Sequence, residues 1–409
     1  METTNTRRSF ITKSIAGVTG AVAAGILPLS AFAEETKSDL LTIDDSHMFL
    51  TKPYLQAPTI NGMTIMWLTN LKCLNWVEFG ETEKLGTKAQ QVINGMMNTH
   101  SKINCVSING LKPGTKYFYK VFSKQIVEFQ PYKMTFGETI NSEIYSFTTL
   151  NPDAEKVSWL VLNDIHDRPK SFEELIKINQ DKPYDFVFLN GDMFDYQKDE
   201  NQVINHLLNP CSFFSTEKPF LFVRGNHETR GQFSRNLYDY YCNYDNREYY
   251  SFKMGSVFTI VLDTGEDKLD THPVYGGAVD FDKYREEQAV WLEEQMQTKA
   301  FKKAPFRVVM MHIPHFYSGE DWHGPLECRR LFGPLFDKYK IDLFIAGHTH
   351  EYGLYEPNPK HSYHFAIGGG PVTGTRTLTR IEASSKKMNL TMFKDDGSEI
   401  GQFNLDAKR

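Results

Sequence analysis

The sequence lacks the charge imbalance, the internal repeats and the low-complexity segments that mark several classes of protein. Its 409 residues contain 45 Lys and Arg against 51 Asp and Glu, a formal net charge of −6. This balance provides no basic surface for nucleic acid and no polybasic patch for an anionic membrane, so neither partner is expected. With 40% hydrophobic and 23% charged residues, the composition is that of a folded protein long enough for two domains.

Cysteine is also scarce. The five cysteines form no CxxC pair and no zinc-finger spacing, and an odd number leaves at least one thiol unpaired. In an oxidising compartment, Cys73–Cys105 and Cys211–Cys242 are possible disulfides. The spacing does not decide between these pairs and free thiols.

An uninterrupted membrane-spanning run is missing too. The chain opens with the basic stretch TNTRRSFITKS, followed by the apolar IAGVTGAVAAGILPL and the small-residue site SAFAEE. This order predicts a secretory signal peptide cleaved after about Ala33. Arg7 and Arg8 resemble a twin-arginine signal, and a general signal peptide with an accidental arginine pair is the alternative. Because Pro28 interrupts the apolar stretch and no cysteine follows the cleavage site, we expect an exported protein, periplasmic or secreted, without a stable membrane anchor.

The next part of the chain shows short β-strands separated by turns. Apolar and polar residues alternate in MTIMWLT, and KYFYKVF and EIYSFTT are further runs rich in β-forming residues. Asn-Gly and Pro-Gly turns occur in INGLKPGT. This pattern predicts an all-β sandwich. LKPGTKY resembles the corner of fibronectin type III domains, where a tyrosine, here Tyr117, ties a loop to the sheet.

From residue 151 onward, apolar strands alternate with helices. Continuous apolar runs such as VSWLVL, DFVFLN and PFLFV are separated by amphipathic stretches such as SFEELIKINQ. Strands of this kind are buried on both faces, which indicates a sheet covered by helices. We therefore expect a signal peptide at 1–33, an all-β domain at 34–150 and an α/β domain at 151–409.

Polar side chains directly follow five of these apolar runs, which end in NDIHD, NGDMFD, GNHE, MHIPH and GHTH. Taken singly, each cluster has a simpler explanation, since an aspartate after a strand is usually a turn or cap residue and an HxH pair usually lies at the surface. All five, however, occupy the same structural position, and the carboxyl ends of strands line the ligand crevice of α/β sheets. A shared site is therefore favoured.

Carboxylate, imidazole and amide oxygen together form a ligand set that suits Zn, Fe or Mn, with no thiolate to favour softer metals. The candidates exceed what one ion needs, whereas two ions about 3.5–4 Å apart could share a carboxylate. Such a pair binds phosphoryl oxygens and generates a nucleophile at neutral pH. The ligand set therefore points to phosphoester hydrolysis.

In this order, the motifs DxH, GDxxD, GNHE, an isolated histidine after a strand, and GHxH resemble those of the calcineurin-like metallophosphoesterases over residues 155–350. The preceding β region and the stretch YYSFKMGSVFTIVLDT resemble the purple acid phosphatases, which carry a fibronectin-like N-terminal domain. The resemblance implies an α/β (α+β) sandwich of two mixed sheets flanked by helices, preceded by a fibronectin type III-like sandwich. It also implies two divalent or trivalent transition-metal ions (Fe, Zn or Mn) and a small phosphorylated substrate.

Carried onto this sequence, the resemblance implies seven metal ligands, three for each ion and one shared. The ligands of the first ion would be Asp164, His166 and His350. The ligands of the second ion would be Asn226, His312 and His348. The shared carboxylate would be that of Asp192.

Four neighbouring residues would lie close to these ligands. The resemblance implies that His227 stabilises the transition state or protonates the leaving group, and that the Asp195 carboxylate orients it. His315 could face the substrate phosphate or lie in a surface loop. Glu228 could act at the site or cap the start of a helix.

The sequence departs from the purple acid phosphatases at two positions. Those enzymes read DxG and GDxxY, and the tyrosine ligates ferric iron and gives the colour. Here His166 replaces the glycine and Asp195 replaces the tyrosine. Tyr196 is one residue out of register and is expected to point elsewhere. We therefore predict a dimetal site without tyrosinate-to-iron charge transfer.

The resemblance favours an exported phosphomonoesterase. A phosphodiesterase or a nucleotide pyrophosphatase on the same metal core is the alternative, because the motifs build the metal site whereas loops, here 229–248 and 314–326, select the leaving group. A non-catalytic binding protein that keeps an inactive core is a third interpretation. The complete ligand set argues against it, since an inactive core usually lacks a ligand.

Overall fold

The computed structural model describes residues 46–319 and 322–408, which belong to one compact unit. The expected signal peptide over residues 1–33 and the beginning of the expected all-β domain lie outside the described residues. Within the described residues, no helix is both long enough and apolar enough to span a membrane.

The first part of the described chain is all β, as predicted, and its strand pairings are antiparallel. The strands are β1 (Tyr54–Thr59), β2 (Gly62–Gly80), β3 (Thr87–Ala89), β4 (Val92–Ile93), β5 (Met96–Met97), β6 (Thr99–Asn109), β7 (Lys116–Gln130), β8 (Lys133–Asn141) and β9 (Tyr145–Thr148). The long strand β2 pairs mainly with β1 and β6 along its first half and with β3 and β7 along its second. Its pairing register with β6 shifts between Leu68 and Cys73. Side chains from both halves, including Trp67 and Val77, meet in one core.

Tyr117 holds the loop that precedes β7. Its hydroxyl accepts a hydrogen bond from the backbone nitrogen of Lys112 at 3.0 Å, and its ring stacks on that of Phe147. The tie between loop and sheet that LKPGTKY predicts is therefore confirmed.

The remaining strands form two six-stranded sheets. They are β10 (Lys156–Leu162), β11 (Phe186–Asn190), β12 (Phe220–Val223), β13 (Tyr250–Met254), β14 (Val257–Val261), β15 (Phe306–Met310), β16 (Leu343–Ala346), β17 (Gly353–Tyr355), β18 (His364–Ile367), β19 (Thr377–Ser384), β20 (Lys387–Lys394) and β21 (Glu399–Asp406). The first sheet has the order β12-β11-β10-β19-β20-β21, and the second has the order β13-β14-β15-β16-β18-β17. Both are mixed: β10, β11 and β12 are parallel, as are β14, β15, β16 and β18.

The two sheets pack face to face, and β10 shows why its sequence is almost continuously apolar. Successive strand residues point to opposite faces. Val161 lies in the core between the sheets together with Val308, whereas Leu160 lies in the outer core together with Phe172 of the first helix. Both faces of the strand are thus buried.

Helices cover the outer faces of both sheets. They are α1 (Lys170–Lys177), α2 (Glu200–Val203), α3 (Asn209–Ser215), α4 (Phe281–Gln297), α5 (Lys299–Lys303), α6 (His323–Leu331) and α7 (Gly333–Tyr339), with a π-helical turn (Ile204–Leu208) between α2 and α3. Helices α1 and α3 pack on the first sheet, and α4, α6 and α7 pack on the second. The predicted fold class is confirmed: a sandwich of two mixed sheets flanked by helices, preceded by an all-β part.

Hydrogen bonds and packing hold the all-β part against the sandwich. The Tyr54 hydroxyl donates to the carbonyl of Tyr240, and the Tyr119 hydroxyl donates to that of Thr216, each at 2.8 Å. Tyr54 is buried in the core that covers the outer face of the first sheet.

All five cysteines are free thiols in the structure. Neither of the possible pairs is a disulfide. Cys73 lies opposite Ser101 in the β2–β6 ladder, four residues before Cys105, which is too far along the strand for a bond. Cys105 and Cys242 both pack against the core on the outer face of the first sheet.

Candidate metal centre

The five polar clusters follow β10, β11 and β12 in the first sheet and β15 and β16 in the second. Each lies at the carboxyl end of a strand that has at least one parallel neighbour. Because the two sheets pack face to face, these ends meet at one edge of the sandwich. Ten of the eleven predicted residues come together there, and His315 does not.

One side of the centre contains Asp164, His166 and His350. The Nε2 atoms of the two histidines are 3.0 Å apart, and they lie 3.7 and 3.5 Å from Oδ1 of the aspartate. Two ring nitrogens and a carboxylate oxygen that converge in this way are arranged to hold one cation.

The other side contains Asn226, His312 and His348. Nδ1 of His348 lies 3.0 Å from Oδ1 of Asn226. Nε2 of His312 lies 3.0 Å from Oδ2 of Asp192. One ligand atom from each of Asp192, His312 and His348 lies within 4.8 Å of the other two.

Asp192 lies between the two sides. Its Oδ2 atom is 3.0 Å from Nε2 of His312 and 3.7 Å from Nε2 of His166. Its Oδ1 atom accepts a hydrogen bond from the backbone nitrogen of His227 at 2.9 Å, which fixes the carboxylate. Burial opposes ionisation, but the charges of the surrounding histidines hold the pKa of Asp192 well below its usual range. One carboxylate therefore faces both sides.

The backbone is strained at this edge. Five of the seven predicted ligands have left-handed backbones, with φ between 49° and 73°: Asp164, His166, Asp192, His348 and His350. Each such residue costs roughly 1–3 kcal/mol and persists only where its surroundings over-determine it. Their concentration in one place is typical of a functional site.

Two glycines explain why the motifs read GD and GH. A Cβ atom on Gly191 would lie 2.3 Å from Nδ1 of His312, and one on Gly347 would lie 2.5 Å from Oδ2 of Asp164. Only glycine allows the ligands of one loop to approach the neighbouring loop this closely.

Hydrogen bonds outside the centre set the histidine tautomers. Nδ1 of His312 donates to the carbonyl of Asn190 at 2.8 Å, since a carbonyl can only accept. Nδ1 of His166 lies 3.0 Å from a carboxylate oxygen of Asp195 and donates to it. In both rings the Nε2 atom is therefore the one that faces the centre, the arrangement typical of metal-binding histidines.

Glu228 joins two of the loops that carry ligands. Its buried carboxylate accepts hydrogen bonds from the backbone nitrogens of Asp192, Met193 and Gly225 at 2.7 to 2.8 Å. Burial, with the nearby charge of Asp192, raises the pKa of Glu228 to about 7. These bonds join two loops, and Glu228 also lies in the first turn of the short 3-10 helix His227–Thr229, in agreement with the predicted helix-cap alternative.

The residues present fit a pair of transition metals. Within the described residues, Oδ1 of Asp164 is a buried atom at the centre without a hydrogen-bond partner, and Nε2 of His312 faces the carboxylates of Asp192 and Asp164 at 3.0 and 4.0 Å. Buried polar atoms without a partner are rare, and an ion would supply one. Burial alone would lower the pKa of His312, but the charges of Asp192 and Asp164 raise it to about 10, which shows how strongly this position favours a positive charge. Burial lowers the pKa of His348 to about 4, so its ring stays neutral and able to bind.

The structure corrects the expected contact of Asp195. Its carboxylate lies against His166, and only its backbone carbonyl contacts His227, at 2.6 Å from Nδ1. The reason is that Asp195 lies between the rings of His166 and His227. Its side chain contacts the first ring and its backbone carbonyl contacts the second. Burial lowers the pKa of His227, and the charge of Arg230 adds to this effect against the charge of Asp192.

The expectation that His315 faces the substrate or lies in a surface loop is wrong. The ring is fully buried, packs among Phe336, Phe344 and Phe365, and places Nε2 2.6 Å from the Tyr363 hydroxyl. Burial lowers its pKa well below the usual value, so the ring is neutral. His315 is a residue of the aromatic core under the second sheet.

The tyrosine next to the replaced position points away from the centre. Tyr196 is 48% exposed, and the ammonium group of Lys198 lies 4.8 Å from its ring centroid.

Two residues that contact the centre were not predicted from the sequence. Arg230 places NH1 2.9 Å from Nε2 of His227, and the buried Glu266 binds the same guanidinium. A signal for Glu266 was present, since LDTGED follows the apolar strand β14 in the same way as the five clusters follow theirs.

Comparison with known proteins agrees with this geometry. Residues 158–352 match the model of the calcineurin-like phosphoesterase family, and residues 52–149 match the purple acid phosphatase N-terminal domain. The first match includes all five motifs. The chain therefore carries a calcineurin-like metallophosphoesterase domain and a purple acid phosphatase N-terminal domain, which confirms the resemblance drawn from the motifs.

Relatives place the chain more narrowly. Purple acid phosphatase 21 of Arabidopsis thaliana is 23% identical over 329 residues, which cover 75% of this chain and 67% of the relative. Probable purple acid phosphatase 20 of the same plant is 24% identical over 352 residues, or 79% and 74%. The solved structure of purple acid phosphatase PPD1 from yellow lupin seeds has a TM-score of 0.66 at 16% identity and covers 87% of this chain and 74% of its own. PhoD has a TM-score of 0.60 at 12% identity, covering 88% and 92%. The protein is a purple-acid-phosphatase-like dimetal phosphoesterase, a metal-dependent phosphatase.

Proposed function

We propose that the protein is an exported phosphomonoesterase that uses two transition-metal ions. The observation that carries this proposal is the position of Asp192, whose Oδ2 atom faces histidines of both sides at 3.0 and 3.7 Å. A carboxylate between two ligand groups is what a dinuclear centre requires.

We assign three ligands to each ion and one to both. Asp164, His166 and His350 would hold the first ion; Asn226, His312 and His348 would hold the second; and Asp192 would contribute to both. When bound, the ions supply Lewis acidity toward a phosphoryl oxygen and a water nucleophile at neutral pH. Iron, zinc and manganese all suit this donor set.

The remaining residues of the centre hold the ligands and the substrate in place. Glu228 keeps the loops of Asp192 and Asn226 at a fixed separation through three backbone hydrogen bonds. The side chain of His227 is 24% exposed and lies 3.9 Å from Oδ2 of Asp192, so a phosphoryl group bound at the centre would lie beside it. Positioning of this kind supplies a large part of the rate enhancement in phosphoryl transfer.

Preference for monoesters is supported by the relatives, which are named purple acid phosphatases. A hydrolysis screen tests it. The full chain, reconstituted with Zn, Mn or Fe, is assayed on aryl phosphate monoesters, aryl phosphate diesters and nucleotides, with Asp192→Asn as a negative control. We expect the highest kcat/KM on a monoester. A higher value on diesters or on the pyrophosphate bond of nucleotides would replace this proposal, and turnover by Asp192→Asn would reject the site.

Export is proposed from the N-terminal pattern, with domains at 34–150 and 151–409 after a signal peptide at 1–33. Mass spectrometry of protein secreted or released from the periplasm should show a mature chain that begins after about Ala33. Replacing Arg7 and Arg8 by lysine should retain the protein in the cytoplasm if the signal is of the twin-arginine type. Unchanged export of that variant would indicate a general signal peptide instead.

A further inference from the structure

A cation of the protein itself lies at the edge of the candidate metal centre. NH1 of Arg230 is 2.9 Å from Nε2 of His227, and that same Nε2 atom is 3.9 Å from Oδ2 of Asp192. His227 therefore lies between the guanidinium and the Asp192 carboxylate, which faces both sides of the centre. Its side chain is 31% exposed, so a ligand in the crevice can reach it.

The hydrogen bonds of His227 show which group at this position carries the charge. The carbonyl of Asp195, 2.6 Å from Nδ1, can only accept, so Nδ1 carries a proton. The guanidinium of Arg230 can only donate, so Nε2 presents a lone pair to it. The ring is neutral with both nitrogens in use. The positive charge beside the centre belongs to Arg230.

Glu266 holds this guanidinium in one orientation. Its carboxylate oxygens accept from Nε and NH2 of Arg230 at 2.8 and 2.9 Å, a bidentate pair. The Thr229 hydroxyl donates to the same carboxylate at 3.0 Å, and Glu266 is fully buried. Because the pair uses Nε and NH2, the NH1 group is left to face His227 and the crevice.

A helix that packs on the second sheet, α4, holds the loop that carries Glu266. The buried Arg285 of α4 donates from Nε to the carbonyl of Thr264 at 2.9 Å and from NH2 to the carbonyl of Glu266. A chain of charged hydrogen bonds thus runs from α4 to the edge of the centre. An arginine fixed in this way loses little side-chain entropy when it binds an anion.

We propose that Arg230 is a phosphate-binding residue, that its NH1 group donates to a non-bridging phosphoryl oxygen of the substrate, and that Glu266 positions it. This inference rests on the proposed function and adds a substrate class to it. A monoester dianion offers three non-bridging oxygens, so one remains for the guanidinium when the ions bind the others. A diester monoanion offers two such oxygens and half the charge. Arg230 therefore favours monoesters over diesters.

The test compares Arg230→Gln and Arg230→Lys with the control Arg330→Gln in the full chain reconstituted with zinc. Arg330 is an exposed arginine of α6 that is also paired with a glutamate, Glu327. Calorimetry measures binding of inorganic phosphate. We expect Arg230→Gln to weaken it roughly ten- to hundredfold, the range for a hydrogen bond to a charged group. Arg230→Lys should recover part of the loss, and Arg330→Gln should bind as the parent does.

Activity provides the second readout. Arg230→Gln should lose more kcat/KM on 4-nitrophenyl phosphate than on bis(4-nitrophenyl) phosphate. Glu266→Gln keeps the charge of Arg230 but weakens its anchor, so we expect kcat to fall more than KM rises. Unchanged phosphate affinity in Arg230→Gln with both ions bound would overturn the inference. Loss of zinc from Arg230→Gln that accounts for its whole loss of phosphate affinity would also overturn it, because Arg230 would then only stabilise the metal site.

The two proposals fail separately. If the parent hydrolyses neither ester but Arg230→Gln still weakens phosphate binding, the proposed function is wrong and the phosphate contact stands. If the parent hydrolyses monoesters and Arg230→Gln is equally active and binds phosphate equally well, the function stands and the inference is wrong.

Discussion

The two sides of the candidate metal centre differ in how their ligands are held. We call the side formed by Asp164, His166 and His350 the open side, because the side chain of His350 is 47% exposed. We call the side formed by Asn226, His312 and His348 the buried side, because the side chain of His312 is not exposed at all. Asp192 is common to both.

The supports of the two sides differ in the same way. On the buried side, His312 is oriented by a backbone carbonyl, that of Asn190, and is packed against Gly191. On the open side, His166 is oriented by the side chain of Asp195, which is itself 51% exposed. A backbone partner cannot rotate away, whereas an exposed side chain can. We therefore expect the buried side to bind its ion more tightly and the open side to exchange its ion more readily.

The largest expected effect comes from the residue that the two sides share. Asp192→Asn should release or weaken both ions and abolish turnover, a loss greater than the roughly 100-fold that removal of an outer partner costs. Metal content by mass spectrometry and kcat measure it. Asp245→Asn, a surface aspartate, is the control and should retain both ions. Retention of two ions by Asp192→Asn would show that this carboxylate is not shared.

Removing one ligand from each side tests the difference directly. His312→Ala and His350→Ala each delete one imidazole, and competition titration with zinc measures both dissociation constants. We expect His312→Ala to abolish the tighter of the two sites and His350→Ala to weaken only the looser one, with dissociation constants of the parent sites about tenfold or more apart. Circular dichroism confirms folding of both variants. If His350→Ala removes the tighter site, the ranking of the two sides is reversed.

The pH dependence of ion binding should separate the sides further. The carboxylates raise the pKa of His312 to about 10, so below that pH a proton competes with the ion for Nε2. Affinity at the buried side should therefore rise with pH across the neutral range, by about tenfold per unit. On the open side, burial opposes protonation of His166, but the nearby carboxylates outweigh it and raise the pKa of that ring. Burial lowers the pKa of His350. Because the two shifts have opposite signs, we expect ion affinity at the open side to depend less steeply on pH. Titrations at several pH values measure both slopes, and equal slopes would contradict the comparison.

The support of His166 should matter less than the ligands themselves. Asp195→Asn removes the charge that orients the ring while it keeps the size of the side chain. We expect ion affinity at the open side to fall about tenfold, the lower end of the range for outer partners, with the buried side unchanged. A loss at the buried side instead would mean that the contact of Asp195 with His227 is the important one.

The smallest expected effect is on colour. Because Asp195 stands where purple acid phosphatases have their tyrosine, and Tyr196 points outward, the iron-loaded protein should show no strong tyrosinate-to-iron band. Tyr196→Phe should leave the visible spectrum unchanged. An intense visible band that disappears in Tyr196→Phe would place that tyrosine on the iron.

Sequence reasoning located the centre because each cluster has a local cause. An apolar strand must end, and the loop after it is where a polar residue can leave the core, so the positions of Asp164, Asp192 and His348 could be predicted from their own neighbours. The glycines before Asp192 and His348 belong to the same local pattern.

Contacts between distant segments could not be predicted in this way. Whether the Asp195 side chain turns to His166 or to His227 depends on how two loops face each other, and the motif is compatible with both. His315 follows the same strand as His312, three residues further along the chain. Its ring nevertheless lies in the aromatic core and not at the centre. The pair of Arg230 with Glu266 joins loops of different sheets, and each residue alone resembles an ordinary surface charge.

The central claim is that one carboxylate, that of Asp192, holds two ions. Anomalous diffraction from crystals of the full chain soaked with zinc or manganese tests it most directly. We predict two anomalous peaks about 3.5–4 Å apart, one on each side of Asp192. A single peak, or two peaks of which only one contacts Asp192, would contradict the claim.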